Sequence, residues 1–273
     1  MNQYKLIAFD MDGTLLNSQK KIRKETLQAV DRASSAGKEV VLCTGRCIAE
    51  LREYLRKLPG VRYIVGVSGA LVYDVRKDRE IYTVGIPAKQ VRHIFETIQN
   101  IDAMPHIMNH ESFVSESDFC NMEHFDMKAY IPLFENAATK VENLYDYYCQ
   151  HEMPVAKFNI YHATGEGRDR TKKKLADTGL ELINAERTSV EISAQGTTKG
   201  TGLEKLCGHL NIGMDEAIAV GDADNDIDVL EKAGLAIAMG NANEKVKSVC
   251  DVVVSDCDSN GCVEAIEKYL LKE

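Results

Sequence analysis

The chain has no tryptophan and only five prolines among 273 residues, and it carries no internal repeat or low-complexity segment. No apolar run approaches the roughly 20 residues that a membrane-spanning helix needs, so no membrane partner is expected. Positive charge is in deficit: 33 Lys and Arg face 42 Asp and Glu, a formal net charge of −9. A pI near 5.4 argues against nucleic acid or an anionic membrane as the main partner. The N-terminus lacks the charged, apolar, small-residue order of a signal peptide, because Asp10 and Asp12 interrupt its only apolar stretch. A cytoplasmic location is the expectation. No C-x-x-C occurs among the eight cysteines; the nearest pairs are Cys43/Cys47 and Cys257/Cys262. That spacing fits neither zinc nor a disulfide framework, and reduced, mostly buried thiols are expected. The C-x5-R loop of a thiol phosphatase is missing too, since Ala49 and Glu53 stand where the arginine would be.

What is present is an ordinary globular composition, 44% hydrophobic and 27% charged, on a chain long enough for two domains. The stretch around which it is organised is Tyr4 to Leu16. Leu6, Ile7, Ala8 and Phe9 read as a strand buried on both faces. Two acids, Asp10 and Asp12, follow immediately, and Gly13 marks a sharp turn. Their like charges repel, raising at least one pKa unless a cation lies between them. A hard divalent ion with oxygen ligands, most simply Mg²⁺, resolves the conflict.

The first third alternates strand and helix. Asn17 or Ser18 is placed to cap a helix carrying Ile22, Val30 and Ala33 and closed by Gly37. Val40 to Leu42 predicts a second strand ending in Thr44-Gly45-Arg46, and Ile48, Leu51, Leu55 and Leu58 lie on the next helix. A third strand, Tyr63 to Val65, runs into Gly66-Val67-Ser68-Gly69. Strands alternating with helices indicate a doubly wound parallel sheet. From about Asp74 to Ser189 the rhythm changes. A hairpin over Leu71 to Val84, a helix opened by Pro87, a loose stretch from Glu116 to Lys140, a strand from Val155 and a charged helix from Arg168 predict a smaller inserted α+β domain. His106, His110, His124 and Cys120 lack the helical spacing that would gather them on zinc. The alternating pattern resumes near Gly196, with Lys199 ahead of a helix and Ala217 to Val220 a strand ending in Gly221-Asp222. The expected boundaries are a core of 1–84 and 189–273 and a cap of 85–188.

Asp222, Asp224 and Asp226 imitate the start of a calcium loop, but Ile227 and Ala233 occupy the places of its glycine and glutamate. Asp10 with Asp12, Thr44, Lys199 and the Asp222–Asp226 loop instead fall at or near strand ends. If the first strand lies between the second and the strand ending at Asp222, they converge at the carboxyl edge of the sheet, where open α/β sheets bind ligands. An ionised Asp can attack phosphorus, a second carboxyl can protonate the leaving oxygen and then activate water, and a hydroxyl and an ammonium can hold the phosphoryl oxygens.

In order and spacing, D-M-D-G-T-L at 10–15, T-G-R at 44–46, K-G at 199–200, G-D-A-D-N-D at 221–226 and A-M-G-N-A at 238–242 resemble the haloacid dehalogenase superfamily, specifically the Cof-type phosphatases with a large C2-type cap. The resemblance implies a Rossmann-like core, Asp10 as nucleophile and Asp12 as general acid/base. It implies Mg²⁺ held by Asp10, the backbone carbonyl of Asp12, and Asp222, with Asp226 supporting. It places the phosphoryl group and substrate against the Met11 amide, Thr44, Gly45, Arg46, Lys199 and Asn225. Ser68 is counted with the substrate-binding residues, although Ser68-Gly69-Ala70 departs from the Asn-Gly-Ala that family members usually carry there. The implied activity is Mg²⁺-dependent hydrolysis of small phosphate monoesters, such as sugar phosphates, through an aspartyl phosphate, by a monomer or weak homo-oligomer. The alternatives are a mutase-type phosphotransferase and a non-catalytic phosphometabolite-binding or regulatory protein.

Overall fold

The computed structural model of the chain describes residues 4–185 and 187–272. In chain order its first strands are β1 (Leu6–Phe9), β2 (Glu39–Cys43), β3 (Tyr63–Gly66), β4 (Leu71–Asp74), β5 (Arg79–Thr83), β6 (Ala103–Met108) and β7 (Ser112–Ser115). They are followed by β8 (Ala138–Val141), β9 (Lys157–His162), β10 (Glu181–Ala185), β11 (Ser189–Ser193), β12 (Ala217–Gly221), β13 (Leu235–Ala238) and β14 (Val252–Val253). The chain divides into two units. One holds Met1–Gly45, Arg52–Tyr82 and Thr198–Glu273; the other holds Arg46–Leu51 and Thr83–Thr197.

The first unit is built on a sheet of order β14-β13-β12-β1-β2-β3-β4-β5. Pairing is parallel from β14 through β3, and β4 runs antiparallel to β3. The chain leaves β1 toward β2 and later returns on its other side as β12, so the strand order reverses at β1, the position expected for it. Register fixes what this brings together. Phe9 pairs with Leu42 on one side and Val220 on the other, so the residues just beyond all three strands lie side by side. Leu6, Ile7 and Phe9 are fully buried, each contributing roughly 1.5–3 kcal/mol by leaving water, which makes the central strand a rigid base for the acids that follow it.

Two turns set the edge of this sheet. After β3, Val67, Ser68 and Gly69 all take positive φ, at 52°, 56° and 95°. A β-branched residue rarely adopts that conformation, and the turn is held by the Ser68 amide donating to Thr44 O at 3.0 Å. A Cβ on Gly69 would lie 1.9 Å from the Thr198 carbonyl oxygen, so glycine lets the turn press against the start of helix Lys199–Leu210. Thr198 caps that helix by accepting from the Thr201 amide at 3.2 Å, and Leu203, Leu206 and Cys207 anchor it on the sheet.

One expected helix start is corrected. Asn17 and Ser18 do not cap a helix through Ile22; the helix is Lys24–Ser35, and Ile22 lies before it. Asn17 Oδ1 accepts instead from the amides of Gln19 at 3.1 Å and Lys21 at 2.9 Å, which folds the chain into a tight loop.

The second unit carries a sheet of order β10-β11-β9-β6-β7-β8, antiparallel except for β7 with β8. Because β11 pairs with β9 and β10, that sheet reaches past residue 188. Ile107, Phe113, Phe158, Ile160, Val190 and Ile192 pack with Val91, Ile94, Phe95, Leu144, Tyr148 and Leu175 of its helices. The stretch from Glu116 to Lys140 is not loose, as expected from sequence, but folds into short helices over Glu116–Cys120, Met122–Phe125, Lys128–Tyr130 and Ile131–Ala137 before β8. Met122, Phe125, Met127 and Phe134 are buried with Met104, Val114 and Tyr161, and this second apolar cluster gives the short helices their order. Among the described residues no helix is long and apolar enough to cross a membrane.

Candidate active site

Asp10 leaves β1 with its amide donating to Val220 O at 3.0 Å, so it starts in strand register. The chain then turns sharply, with the amides of Thr14 and Leu16 donating back to Met11 O at 3.4 and 2.8 Å. Gly13 makes that turn at φ 82°, and a Cβ there would lie 2.3 Å from Asp222 Oδ2. The glycine thus provides both the left-handed backbone and the room for Asp222, which follows β12, to approach. Thr14 Oγ1 closes the contact by donating to Asp222 Oδ1 at 2.7 Å.

Lys199, the first residue of its helix, is 2% exposed. Its Nζ donates to Asp10 Oδ1 and to Asp226 Oδ1, both at 2.6 Å. Asp226 is itself fixed, because its Oδ2 accepts from the amides of Asp222 and Ala223 at 3.1 Å each. The helix start is braced by Asp228, whose Oδ2 accepts from the Gly200 amide at 3.1 Å and from the Thr198 hydroxyl. One ammonium therefore joins two strand ends, and the loop between Asp222 and Asp226 is tied to both.

Carboxylate oxygens of Asp10, Asp222 and Asp226 lie within 4.8 Å of one another. Burial penalises the charged form of Asp10, and the neighbouring Asp226 and Asp222 add to this against the pull of Lys199, so its pKa is pushed up to about 8. Asp222 is raised to about 6, again mainly by burial, with the Thr14 hydrogen bond opposing and the charges of Asp226 and Asp12 adding to it. Burial alone would favour neutral Lys199, but the charges of Asp10 and Asp226 outweigh it and hold its pKa well above the ordinary value. Three acids against one ammonium leave an excess of negative charge in a buried place. Converging carboxylate oxygens of this kind suit a hard divalent cation. Burial pushes the thiol of nearby Cys43 up, which keeps it protonated.

The structure brings together Asp10, Asp222, Asp226 and Lys199 directly. Asp12 is half-buried and pairs with Lys20 Nζ at 2.7 Å. Thr44 and Ser68 are buried and joined by their backbones, and Gly69 links that turn to Thr198. Asn225 stands in the loop between Asp222 and Asp226, with its Oδ1 buried and without a hydrogen-bond partner. Met11 is fully buried beside Asp10 in the chain, and Gly45 follows Thr44 at the end of the first segment of that unit. Arg46 groups instead with the second unit, buried near Glu50, whose pKa burial raises while the charge of Arg46 opposes the rise.

Sequence reasoning assigned no role to Thr14, Lys20, Asp228 or Asn241. Thr14 lies inside the leading D-M-D-G-T-L, and Asn241, whose Nδ2 donates to Gly13 O at 2.8 Å, lies inside A-M-G-N-A, so both had a signal. Lys20 and Asp228 had none beyond their charge.

Acids just beyond the carboxyl ends of β1 and β12, joined by a lysine from a distant helix, stand where open α/β sheets bind ligands. The chain belongs to the haloacid dehalogenase-like hydrolase family, whose profile matches residues 7–266. It is 27% identical over 293 residues to the phosphatase YwpJ of Bacillus subtilis, covering 98% of this chain and all of that one. It is 28% identical over 268 residues to the 5-amino-6-(5-phospho-D-ribitylamino)uracil phosphatase YcsE of the same organism, covering 98% and 96%. A solved haloacid dehalogenase-like hydrolase from B. subtilis superposes with a TM-score of 0.85 at 25% identity, covering 96% of this chain and 99% of that one. The family expected from the motifs is the family found.

Proposed function

We propose that the protein is a phosphatase that hydrolyses small phosphate monoesters through an aspartyl phosphate on Asp10. The single observation that carries this reading is the buried contact of Lys199 with Asp10 and Asp226, beside Asp222. The named activities of the relatives, phosphatases with small phosphorylated substrates where a substrate is given, support it.

In the first step an Asp10 carboxylate oxygen attacks phosphorus while the bond to the ester oxygen breaks. Asp12 delivers its proton to that departing oxygen, so an alcohol leaves rather than an alkoxide. In the second step water attacks the phosphorus of the acyl phosphate. Asp12 takes the water proton, the bond from phosphorus to the Asp10 oxygen breaks, and inorganic phosphate and the free carboxylate are restored. Lys199, Thr44, Asn225 and the Met11 and Gly45 backbone hold the phosphoryl oxygens as charge moves onto the leaving group. Ser68 is the residue of the first unit that we assign to the rest of the substrate. Lys199 also favours the ionised form of Asp10, which a nucleophile requires.

The three converging carboxylates fit Mg²⁺, and Asp10, Asp222 and the Asp12 carbonyl would hold it, with Asp226 bracing Asp222 and Ala223 through its hydrogen bonds to their amides. Bound there, Mg²⁺ supplies positive charge that offsets the repulsion between an anionic nucleophile and an anionic ester.

The test is release of inorganic phosphate from a panel of phosphorylated metabolites in the presence of Mg²⁺, for the native chain and Asp10→Asn. Release by the native chain with none by the variant supports the reading. Release by the variant at a comparable rate contradicts it.

A further inference from the structure

Asp12 has a partner that the chemistry above does not use. Lys20 Nζ lies 2.7 Å from Asp12 Oδ1, eight residues away along the chain. The loop that brings it there is heavily tied. Besides the Asn17 side chain's bonds to Gln19 and Lys21, the Asn17 amide donates to Lys21 O at 3.0 Å and the Lys20 amide donates to Asn17 O at 2.8 Å. Ser18 bonds Asp258 through both its amide and its hydroxyl, at 3.0 and 2.9 Å, and Tyr54 Oη donates to Lys20 O at 3.4 Å. Within this frame Lys20 takes φ 56°, a left-handed conformation that costs any residue with a side chain.

A surface ion pair gives little back for that cost. The two side chains are 39% and 28% exposed, and pairs in that range contribute little to stability. Strain held by surrounding structure and spent on a weak contact points toward function rather than folding. We propose that Lys20 is a positioning residue that fixes the Asp12 carboxyl group in the orientation needed for proton delivery. The inference rests on the reading of Asp12 as the acid/base.

The physical need is clear from where Asp12 sits. Its side chain hangs from a turn next to Gly13, partly in solvent, and must present one carboxyl oxygen to the ester oxygen and later to water. A proton donor that wanders by an ångström loses much of its effect. Contact with an ammonium held by a tied loop removes that freedom while Lys20 itself touches neither phosphorus nor the leaving group.

The experiment compares kcat/KM for two esters, which reports the steps up to formation of the acyl phosphate. One is an alkyl phosphate accepted by the native chain, whose leaving oxygen needs a proton. The other is p-nitrophenyl phosphate, whose leaving group departs without one. Lys20→Met is expected to lower kcat/KM on the alkyl ester by about 10-fold or more, part of the roughly 10²–10⁴-fold that proton transfer contributes. On the aryl ester the loss is expected to stay below about twofold, Lys20→Arg should restore most of the alkyl activity, and the melting temperature should not move. Equal losses on both esters would assign Lys20 to phosphoryl binding or to the fold, and no loss on either would leave Asp12 oriented without it; each result overturns the inference. A native chain inert toward every ester refutes the phosphatase reading instead, which separates the two failures.

Discussion

The side-chain nitrogen of Lys199 lies 2.6 Å from Asp10 Oδ1, although 189 positions separate the two residues. The same nitrogen is 2.6 Å from Asp226 Oδ1, and all three side chains are buried. Removing one partner of a buried ion pair leaves uncompensated charge and typically costs about 3–5 kcal/mol. Lys199→Met is therefore expected to lower the urea midpoint of the Mg²⁺-free protein substantially, and to abolish turnover. Unchanged stability would mean that the three groups do not share charge as the geometry requires.

The excess negative charge also predicts a stabilising response to divalent cation. A ligand that binds the folded chain alone raises its melting temperature with concentration. Mg²⁺ is expected to do so, and EDTA to reverse it together with activity. Asp222→Asn should remove most of the Mg²⁺-dependent shift while leaving the metal-free melting temperature equal or higher, because one of three mutually repelling carboxylates is gone. An undiminished Mg²⁺ shift in that variant would place the cation elsewhere.

Gly13 gives a sharper geometric test. At φ 82°, with a Cβ that would sit 2.3 Å from Asp222 Oδ2, alanine brings both backbone strain and a direct clash. Gly13→Ala is expected to keep the fold, since the turn is at the edge of the sheet, and to lose both the Mg²⁺ shift and phosphate release. Full activity would show that Asp222 need not approach the turn.

His106 sets a pH dependence outside the active site. Its ring is buried, with Nε2 2.7 Å from Ser112 Oγ and Nδ1 3.4 Å from Tyr161 Oη. Burial, with a smaller contribution from the charge of Lys157, pushes its pKa down to about 3. Glu50 Oε1 lies 4.0 Å away, but burial raises its own pKa, and its presence does not reverse the shift. An unfolded histidine titrates near 6.5, so between about pH 6.5 and 3 the unfolded chain binds a proton that the folded chain refuses. This contribution is complete above pH 6.5 and is lost as pH falls through that window. The raised carboxyls of Asp10 and Asp222 act in the opposite sense over much of this window, so the test is a difference between two chains. The thermal midpoint of the native chain should fall relative to that of His106→Gln as pH drops through the window, and a difference that stays constant or moves the other way would contradict the argument.

Much of this was legible in the sequence because it depends on periodicity and local chemistry. The apolar run Leu6 to Phe9 ending in two acids identified the central strand, and strand–helix alternation identified the parallel sheet around it. The motifs at 10–15, 44–46, 199–200 and 221–226 identified the family. The helix start at Lys24 was missed because Asn17 offers the same side-chain oxygen to an Asx turn as to a helix cap, and only the chain's onward path decides between them. Order in the stretch from Glu116 to Lys140 was missed because its apolar residues, Met122, Phe125, Met127 and Phe134, follow no single period and find their partners on other strands. Lys20 was invisible for a related reason: its meaning depends on a left-handed φ and on a contact that spacing does not encode.

The central claim is that Asp10 becomes phosphorylated during turnover. The most direct measurement is peptide mass spectrometry of enzyme mixed with excess substrate and Mg²⁺ and quenched in acid within the first turnovers. The account predicts one phosphoryl group on the peptide bearing Asp10, sensitive to hydroxylamine as an acyl phosphate is, and absent from Asp10→Asn. Steady turnover by the native chain with that peptide never modified, or with the phosphoryl group on another residue, would contradict it.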